Sequence, residues 1–354
     1  MGKTFIIAEA GANHNRDLSM AMKLIDVAVD SKVDAIKFQT YSSETLYSKY
    51  TPDFAGYKNI PKLMKDIELP RDWQKTLKSK CDDNGIEFMS TPFDERAVNE
   101  LFDLGVKRFK IAGFEATDPR FVKYVATTGL PLIISLGIGS DLNTMFNIQR
   151  LIYDLDDVID VHMGIYDFSD EQKITFLHCN NAYPTPFEDI NLGQMRSMLG
   201  FCDNHKWFEN TDIGLSDHTE GILIPPVAVS LGAKVIEKHF TLNRELSGPD
   251  HPFAIEPDEL KDMVKNIRLV ESSMGEKKTR YTDSEVGFSM ARRSVVVKED
   301  IPMGSVLTED NITTKRPLLK NSISAEKYFD IIGKRLNVDV KEDEIILEDM
   351  INYG

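Results

Sequence analysis

Two histidines close short apolar runs late in the chain, His218 in IGLSDH (213–218) and His239 in VIEKHF (235–240). A single strand-borne histidine is usually a hydrogen-bonded structural residue. Two of them at the ends of adjacent strands can bind one divalent ion and leave positions open for water and substrate, as catalysis requires. Two protein ligands with several open positions suit Mn²⁺ or Mg²⁺ better than a closed zinc site. Lys37 in AIKFQT (35–40) and Lys110 in RFKIAG (108–113) lie inside similar runs. At a shared rim they would cradle an anion as point charges, with Thr91, Ser135 and Ser216 donating hydrogen bonds. The bland alternative is that each lysine snorkels outward or pairs with Glu9 or Glu115. His14, His162, His178 and His205 have no partner visible in the sequence and read as structural.

Such groups need elements that bring them together. Runs rich in Ile, Val and Phe recur at 5–10, 35–40, 87–92, 108–113, 131–136, 174–179, 213–218 and 235–240. Between them lie amphipathic stretches such as 18–30, 94–105 and 221–232, and another at 257–275 follows the last run. Eight strands each followed by a helix predict an α/β protein, a (β/α)₈ TIM barrel. Catalytic groups in such barrels sit at the C-terminal strand ends and in the loops beyond. Those ends carry Glu9, Lys37, Gln39, Thr91, Lys110, Glu115, Ser135, Asn181, Tyr183, Ser216, His218 and His239, with Asp250 in the last loop. Alternate strand residues share a face, so Lys37 goes with Gln39, Ser216 with His218, and Glu237 with His239. Lys238 must then point toward the helices.

The catalytic domain is expected over 1–275, a polar linker over 276–290, and a small β-rich domain over 291–354. The stretch 157–173, between the fifth and sixth runs, is longer than a normal connection, and no role for it is evident. The formal net charge of −15 over 354 residues disfavours a polyanion such as nucleic acid. A small anionic substrate therefore requires local convergence of basic groups. The start, MGKTFIIAEAGANHN, does not read as a signal peptide, because Glu9 interrupts its short apolar run. No apolar stretch reaches the roughly 20 residues of a membrane span. Three cysteines without CxxC spacing fit thiols in a reducing cytoplasm.

The segments AEAGANHN, KFQT, STPFD, FKIAGFE, CNNAYPTP, GLSDH, EKHF and GPDH…EPDEL, in this order, resemble the motifs of the sialic-acid synthase family. That family includes the N-acetylneuraminate, legionaminate and pseudaminate synthases. ARRSVVVKEDIPMGSVLTEDNI resembles its C-terminal antifreeze-like (SAF) domain, so the match covers nearly the whole chain. The resemblance implies an enzyme that condenses phosphoenolpyruvate with an N-acyl hexosamine and water, releasing phosphate. It implies Mn²⁺ or Mg²⁺ on His218 and His239, and phosphoenolpyruvate contacts at Lys37, Thr91, Lys110, Ser135, Asn181 and Ser216. Gln39, Tyr183 and Asp250 would meet the acceptor sugar, and Glu9 and Glu115 would lie beside the reacting atoms. It further implies a homodimer with swapped small domains, Arg292 (or Arg293) reaching the partner's barrel. One departure is Gly113 in KIAGFE, where the family usually has Ser, so one phosphate donor is absent. The competing readings are a metal-independent aldolase forming a Schiff base on Lys37 or Lys110, another phosphoenolpyruvate aldol enzyme, and a non-catalytic binding protein.

Overall fold

The computed structural model describes residues 2–153, 172–275 and 281–353. All but the last two residues of the 157–173 stretch fall outside these. The described residues divide into two compact units, Met1–Gly275 and Glu276–Gly354.

In the first unit one eight-stranded sheet contains β1 (Phe5–Gly11), β2 (Ala35–Thr40), β3 (Glu87–Pro92), β4 (Phe109–Ile111), β5 (Leu132–Leu136), β6 (Ile174–Cys179), β7 (Thr211–Asp217) and β8 (Val235–His239). Its order is β3-β2-β1-β8-β7-β6-β5-β4, every ladder is parallel, and β3 packs beside β4. This is a nearly closed TIM-type barrel. Each apolar run of the sequence became a strand, with limits differing by up to two residues. The largest trimming is at β4, where the ladder stops at Ile111 and the chain turns through Gly113.

Several helices start where a side chain satisfies free N–H groups of the first turn. Asp17 accepts from Ser19 and Met20 at the start of Leu18–Asp30. Asp94 accepts from Ala97 at the start of Glu95–Leu104, which ends at Gly105 with φ +81. The apolar faces of these helices close over the outward side of the strands in one continuous core that includes Ile6, Leu24, Ile36, Leu101, Phe176 and Ile267. Inside the barrel a separate apolar layer contains Ile7, Ala35, Met89, Ile133, Leu177 and Val235. It plugs one end, so polar groups can gather only at the other.

The second unit has its own core of Val295, Val297, Ile301, Leu307, Ile312, Ile323, Leu336 and Ile346, among others. Two antiparallel ribbons frame it: β9 (Ser294–Val297) with β10 (Ile312–Lys315), and β11 (Arg335–Leu336) with β12 (Ile351–Asn352). Within the polar stretch 276–290 a short helix, Asp283–Val286, interrupts what the sequence suggested was plain linker. Among the described residues no helix is long and apolar enough to cross a membrane.

Candidate active site

Two residues beyond the apolar plug, the inward strand positions become polar except at Cys179. The resulting cavity is lined by Glu9, Lys37, Gln39, Thr91, Lys110, Ser135, Asn181, Tyr183, Ser216, His218 and His239, all indicated by strand periodicity, together with Phe93, Ala112, Gly113, Cys179 and Glu237. At its floor Lys37 Nζ lies 2.7 Å from Glu9 Oε2 and donates to Thr91 Oγ1 at 2.9 Å. Gln39 Nε2 donates to Glu9 Oε1 at 2.9 Å. Lys110 does not pair with Glu115; its ammonium faces Glu237 Oε1 at 3.6 Å. The same oxygen lies 3.7 Å from Lys37 and accepts from Ser216 Oγ at 3.3 Å. Both lysines are only 2% exposed, which rules out snorkelling to solvent.

Burial acts against every charge here, and the neighbours decide which survive. For Lys37, desolvation is outweighed by Glu237 and Glu9, and its pKa is raised, so it is held as a cation. For Lys110, desolvation prevails over Glu237, and its pKa falls. Desolvation raises Glu9 despite Lys37, whereas the two lysines hold Glu237 below the usual carboxylate range against its own desolvation. Lys37 is thus held as a cation between Glu9 and Glu237, and Lys110 faces the same Glu237 oxygen. Among the described residues, Ser135 Oγ, Glu237 Oε2 and His239 Nδ1 are buried with no hydrogen-bond partner. Orphaned polar atoms are costly in a finished core and acceptable where a ligand completes them.

Glu237 is the functional candidate missed by reading strand ends, since it lies two residues before the end of β8. The signal was its shared face with His239. Lys238, between them, points away and meets Asp217.

The two imidazoles stand side by side with ring centroids 5.3 Å apart. Tyr183 packs on His218 at 4.2 Å and Phe253 on His239 at 5.1 Å. His218 Nδ1 donates to the Asn180 carbonyl at 2.6 Å, leaving Nε2 available as an electron-pair donor. Burial pushes His218 down to about 4 and His239 well below its usual value, so both rings are neutral near pH 7. Neutral, oriented imidazoles with an orphaned nitrogen fit a divalent cation. Among the described residues no three His, Cys, Asp or Glu converge as a ligand set. A cation on this pair would complete its shell with water or substrate.

Three of the sequence-indicated residues do not line the cavity. Asp250 accepts from the Ala12 N–H at 3.2 Å and approaches His239 Nδ1 at 3.9 Å. Gly11, with φ +51, permits this approach, because a Cβ there would lie 2.6 Å from Asp250 Oδ2. Glu115 lines a neighbouring groove with Tyr41, Glu68, Arg71 and Phe114, and only Phe93 is common to both hollows. Arg292, in the second unit, donates to Tyr281 at 2.7 Å and pairs with Glu326 at 2.6 Å. Arg293 donates to the Thr314 carbonyl at 3.3 Å. At Gly113 a Cβ would come within 3.1 Å of the Asn181 amide, which accepts from the Ile138 N–H at 2.8 Å. The missing side chain thus makes room for that amide.

Residues 24–279 match the NeuB family and residues 292–352 the SAF domain. The chain belongs to the NeuB family. Along nearly all its length it is similar to synthases of sialic-type acids. It is 38% identical over 356 residues to the N,N'-diacetyllegionaminic acid synthase of Campylobacter jejuni, covering 98% of this chain and 100% of that protein. Pseudaminic acid synthase of the same species is 32% identical over 355 residues, covering 98% and 96%. The crystal structure of the N-acetylneuraminic acid synthetase of Leptospira borgpetersenii, in complex with citrate, superposes with a TM-score of 0.66 at 31% identity, covering 81% of this chain and 90% of that one. The resemblance of the AEAGANHN, GLSDH and EKHF segments thus extends to the whole NeuB-family chain, SAF domain included.

Proposed function

We propose that this NeuB-family chain is a nonulosonic acid synthase: it joins phosphoenolpyruvate to an N-acylated hexose and releases phosphate. The observation that carries the reading is the pair of buried ammonium groups, Lys37 and Lys110, on the floor beside two neutral imidazoles. Two cations so placed suit the phosphate and carboxylate of phosphoenolpyruvate, and the Ser135 hydroxyl is free to donate to either. Holding both anionic ends fixes the enol carbon against an aldehyde at the rim, where Gln39 and Tyr183 line the cavity and Asp250, beside His239, is the third residue the resemblance assigns to the sugar.

His218 and His239 would hold Mn²⁺ or Mg²⁺, whose chemistry when bound is to polarise the aldehyde oxygen. C3 of phosphoenolpyruvate forms the bond to the aldehyde carbon, whose oxygen takes a proton. Water adds at the electron-poor C2 and loses a proton. The C2–O bond to phosphate then breaks as the C2 hydroxyl gives up its proton to the departing phosphate, leaving the 2-keto acid and inorganic phosphate. Glu9, raised by desolvation to about 7, is in its ionised form a stronger base than an ordinary carboxylate and would accept the proton of that water. Glu115, also raised by burial, faces the adjoining groove and is the second candidate. Arg292, if it reaches a partner's barrel in a swapped homodimer, would bind the acceptor.

The acceptor we propose is a 2,4-diacetamido hexose of the legionaminate type, supported by the higher identity to the legionaminic than to the pseudaminic acid synthase. Phosphate release from phosphoenolpyruvate with Mn²⁺ is measured with N-acetylmannosamine and with each of the two 2,4-diacetamido isomers. Release with one sugar, abolished by EDTA, is the expected outcome. One observation favours a second reading: burial lowers Lys110, which would ease Schiff-base formation with pyruvate. Borohydride trapping of pyruvate on Lys110, with turnover indifferent to EDTA, would replace the synthase by an aldolase.

A further inference from the structure

Behind the two histidines, on the strand faces turned away from the cavity, lies a second set of charges. Asp217 precedes His218, and Lys238 precedes His239. The two are register partners on the last rung of the β7–β8 ladder. Lys238 Nζ donates to Asp217 Oδ2 at 2.7 Å and also to the Thr219 carbonyl. The N–H and hydroxyl of Thr219 donate to Asp217 Oδ1 at 3.0 and 2.8 Å. Asp217 and Thr219 are completely buried and Lys238 is 1% exposed.

An ion pair this deep is a poor way to stabilise a fold. Desolvating both partners costs about as much as their attraction returns, and apolar replacements are often neutral or better. Its best-attested use is to specify geometry. Here the geometry has an object. The ladder ends at Asp217 and Lys238, so His218 lies beyond the last rung, with no strand bond across to β8. The network grips the residues on both sides of His218 and the residue just before His239. It also keeps the ammonium next to His239 compensated by the carboxylate next to His218.

We infer that Asp217, Lys238 and Thr219 form a positioning clamp that fixes the separation and aim of His218 and His239, so that the two rings can share one divalent cation. The inference rests on the reading of those histidines as ion ligands. None of the three clamp residues lines the cavity, so they act through the histidines. The network is complete without a ligand, in contrast to the orphaned Ser135 hydroxyl and His239 nitrogen facing the cavity.

The test is Mn²⁺ binding to the full chain, followed by the electron paramagnetic resonance signal of free Mn²⁺, with thermal unfolding recorded in parallel. The double variant Asp217→Leu/Lys238→Met removes both charges while keeping bulk. It should unfold cooperatively and bind Mn²⁺ about 10- to 100-fold more weakly, the usual loss when outer partners of metal ligands are removed. Thr219→Val removes one hydroxyl and keeps shape, and should weaken binding several-fold. Should the double variant fail to fold, Thr219→Val alone decides. Wild-type affinity in the folded variants would overturn the clamp while leaving the ligands in place. Binding indifferent to both His218→Ala and His239→Ala would instead overturn the ligand reading, and the clamp with it.

Discussion

Five strands of the barrel pass from an apolar to a polar residue within two positions, and a sixth exchanges leucine for a thiol. Ile7 is followed on its face by Glu9, Ala35 by Lys37, Met89 by Thr91, Ile133 by Ser135, Leu177 by Cys179 and Val235 by Glu237. One step of two residues is about 6.6 Å of strand rise. Across that distance the interior passes from an apolar plug to a layer with paired charges and orphaned hydroxyl, carboxylate and imidazole atoms. The plug is closely packed: a Cβ on Gly214 would lie 2.7 Å from Leu177. The layer above it is held by charge and is incomplete. The difference shows a division of labour, in which the lower layer fixes strand height and register and the upper one spends that rigidity on groups that would not assemble alone.

If the layers are separable, they can be broken independently. The largest effect is expected from Lys110→Met, which removes a cation and leaves Glu237 to Lys37 alone. Steady-state phosphate release should show kcat/KM for phosphoenolpyruvate falling by about a thousandfold or more, roughly 4 kcal/mol of lost transition-state stabilisation. A loss within tenfold would remove Lys110 from anion binding. In the lower layer, Leu177→Ala should cost about 2–5 kcal/mol in denaturant unfolding while kcat/KM of the folded protein stays within a few-fold. A collapse of turnover at unchanged stability would show that the plug takes part in chemistry.

Glu237→Gln sharpens the comparison within the upper layer. Neutralising the carboxylate between two lysines should leave KM for phosphoenolpyruvate no higher, because the cations are less screened. The rate constant kcat should fall by about tenfold, as the lysines lose their anchor. A raised KM with normal kcat would reverse that assignment.

An effect on stability alone concerns His14, in the loop after β1, 1% exposed and pushed down to about 4 by burial, with Arg16 and His251 adding to it. Its folded value lies below that of the unfolded chain, about 6.5, so unfolding takes up a proton between the two. The stability it contributes is therefore complete above about pH 6.5. It is lost on acidification toward pH 4 by on the order of 1.4 kcal/mol per pH unit. His14→Gln should flatten the fall in unfolding free energy between pH 6.5 and 4.5 by one proton's worth; an unchanged slope would place the proton uptake elsewhere.

Much of this is legible in the amino-acid sequence. Apolar runs separated by amphipathic stretches specify alternating strands and helices. The amphipathic stretches 18–30 and 94–105 became the helices Leu18–Asp30 and Glu95–Leu104. The two-residue period places Lys37 with Gln39, Glu237 with His239 and Lys238 behind them. Local chemistry sets all of these, because each depends on neighbours a few residues away.

What required the tertiary structure was every pairing across the barrel. Lys110 meets Glu237, 127 positions further along the chain, rather than Glu115 just beyond it, because the chain turns outward after β4 and sends Glu115 into the next groove. The Asn181 amide fills the space that Gly113 leaves open. His218 is aimed by the Asn180 carbonyl and, on the inference drawn above, by a clamp on the far side of its own strand. Strand periodicity tells which face a residue occupies, but not its height in the barrel or the group opposite. Those follow from the stagger of eight strands closing on themselves, a property of no single segment of the sequence.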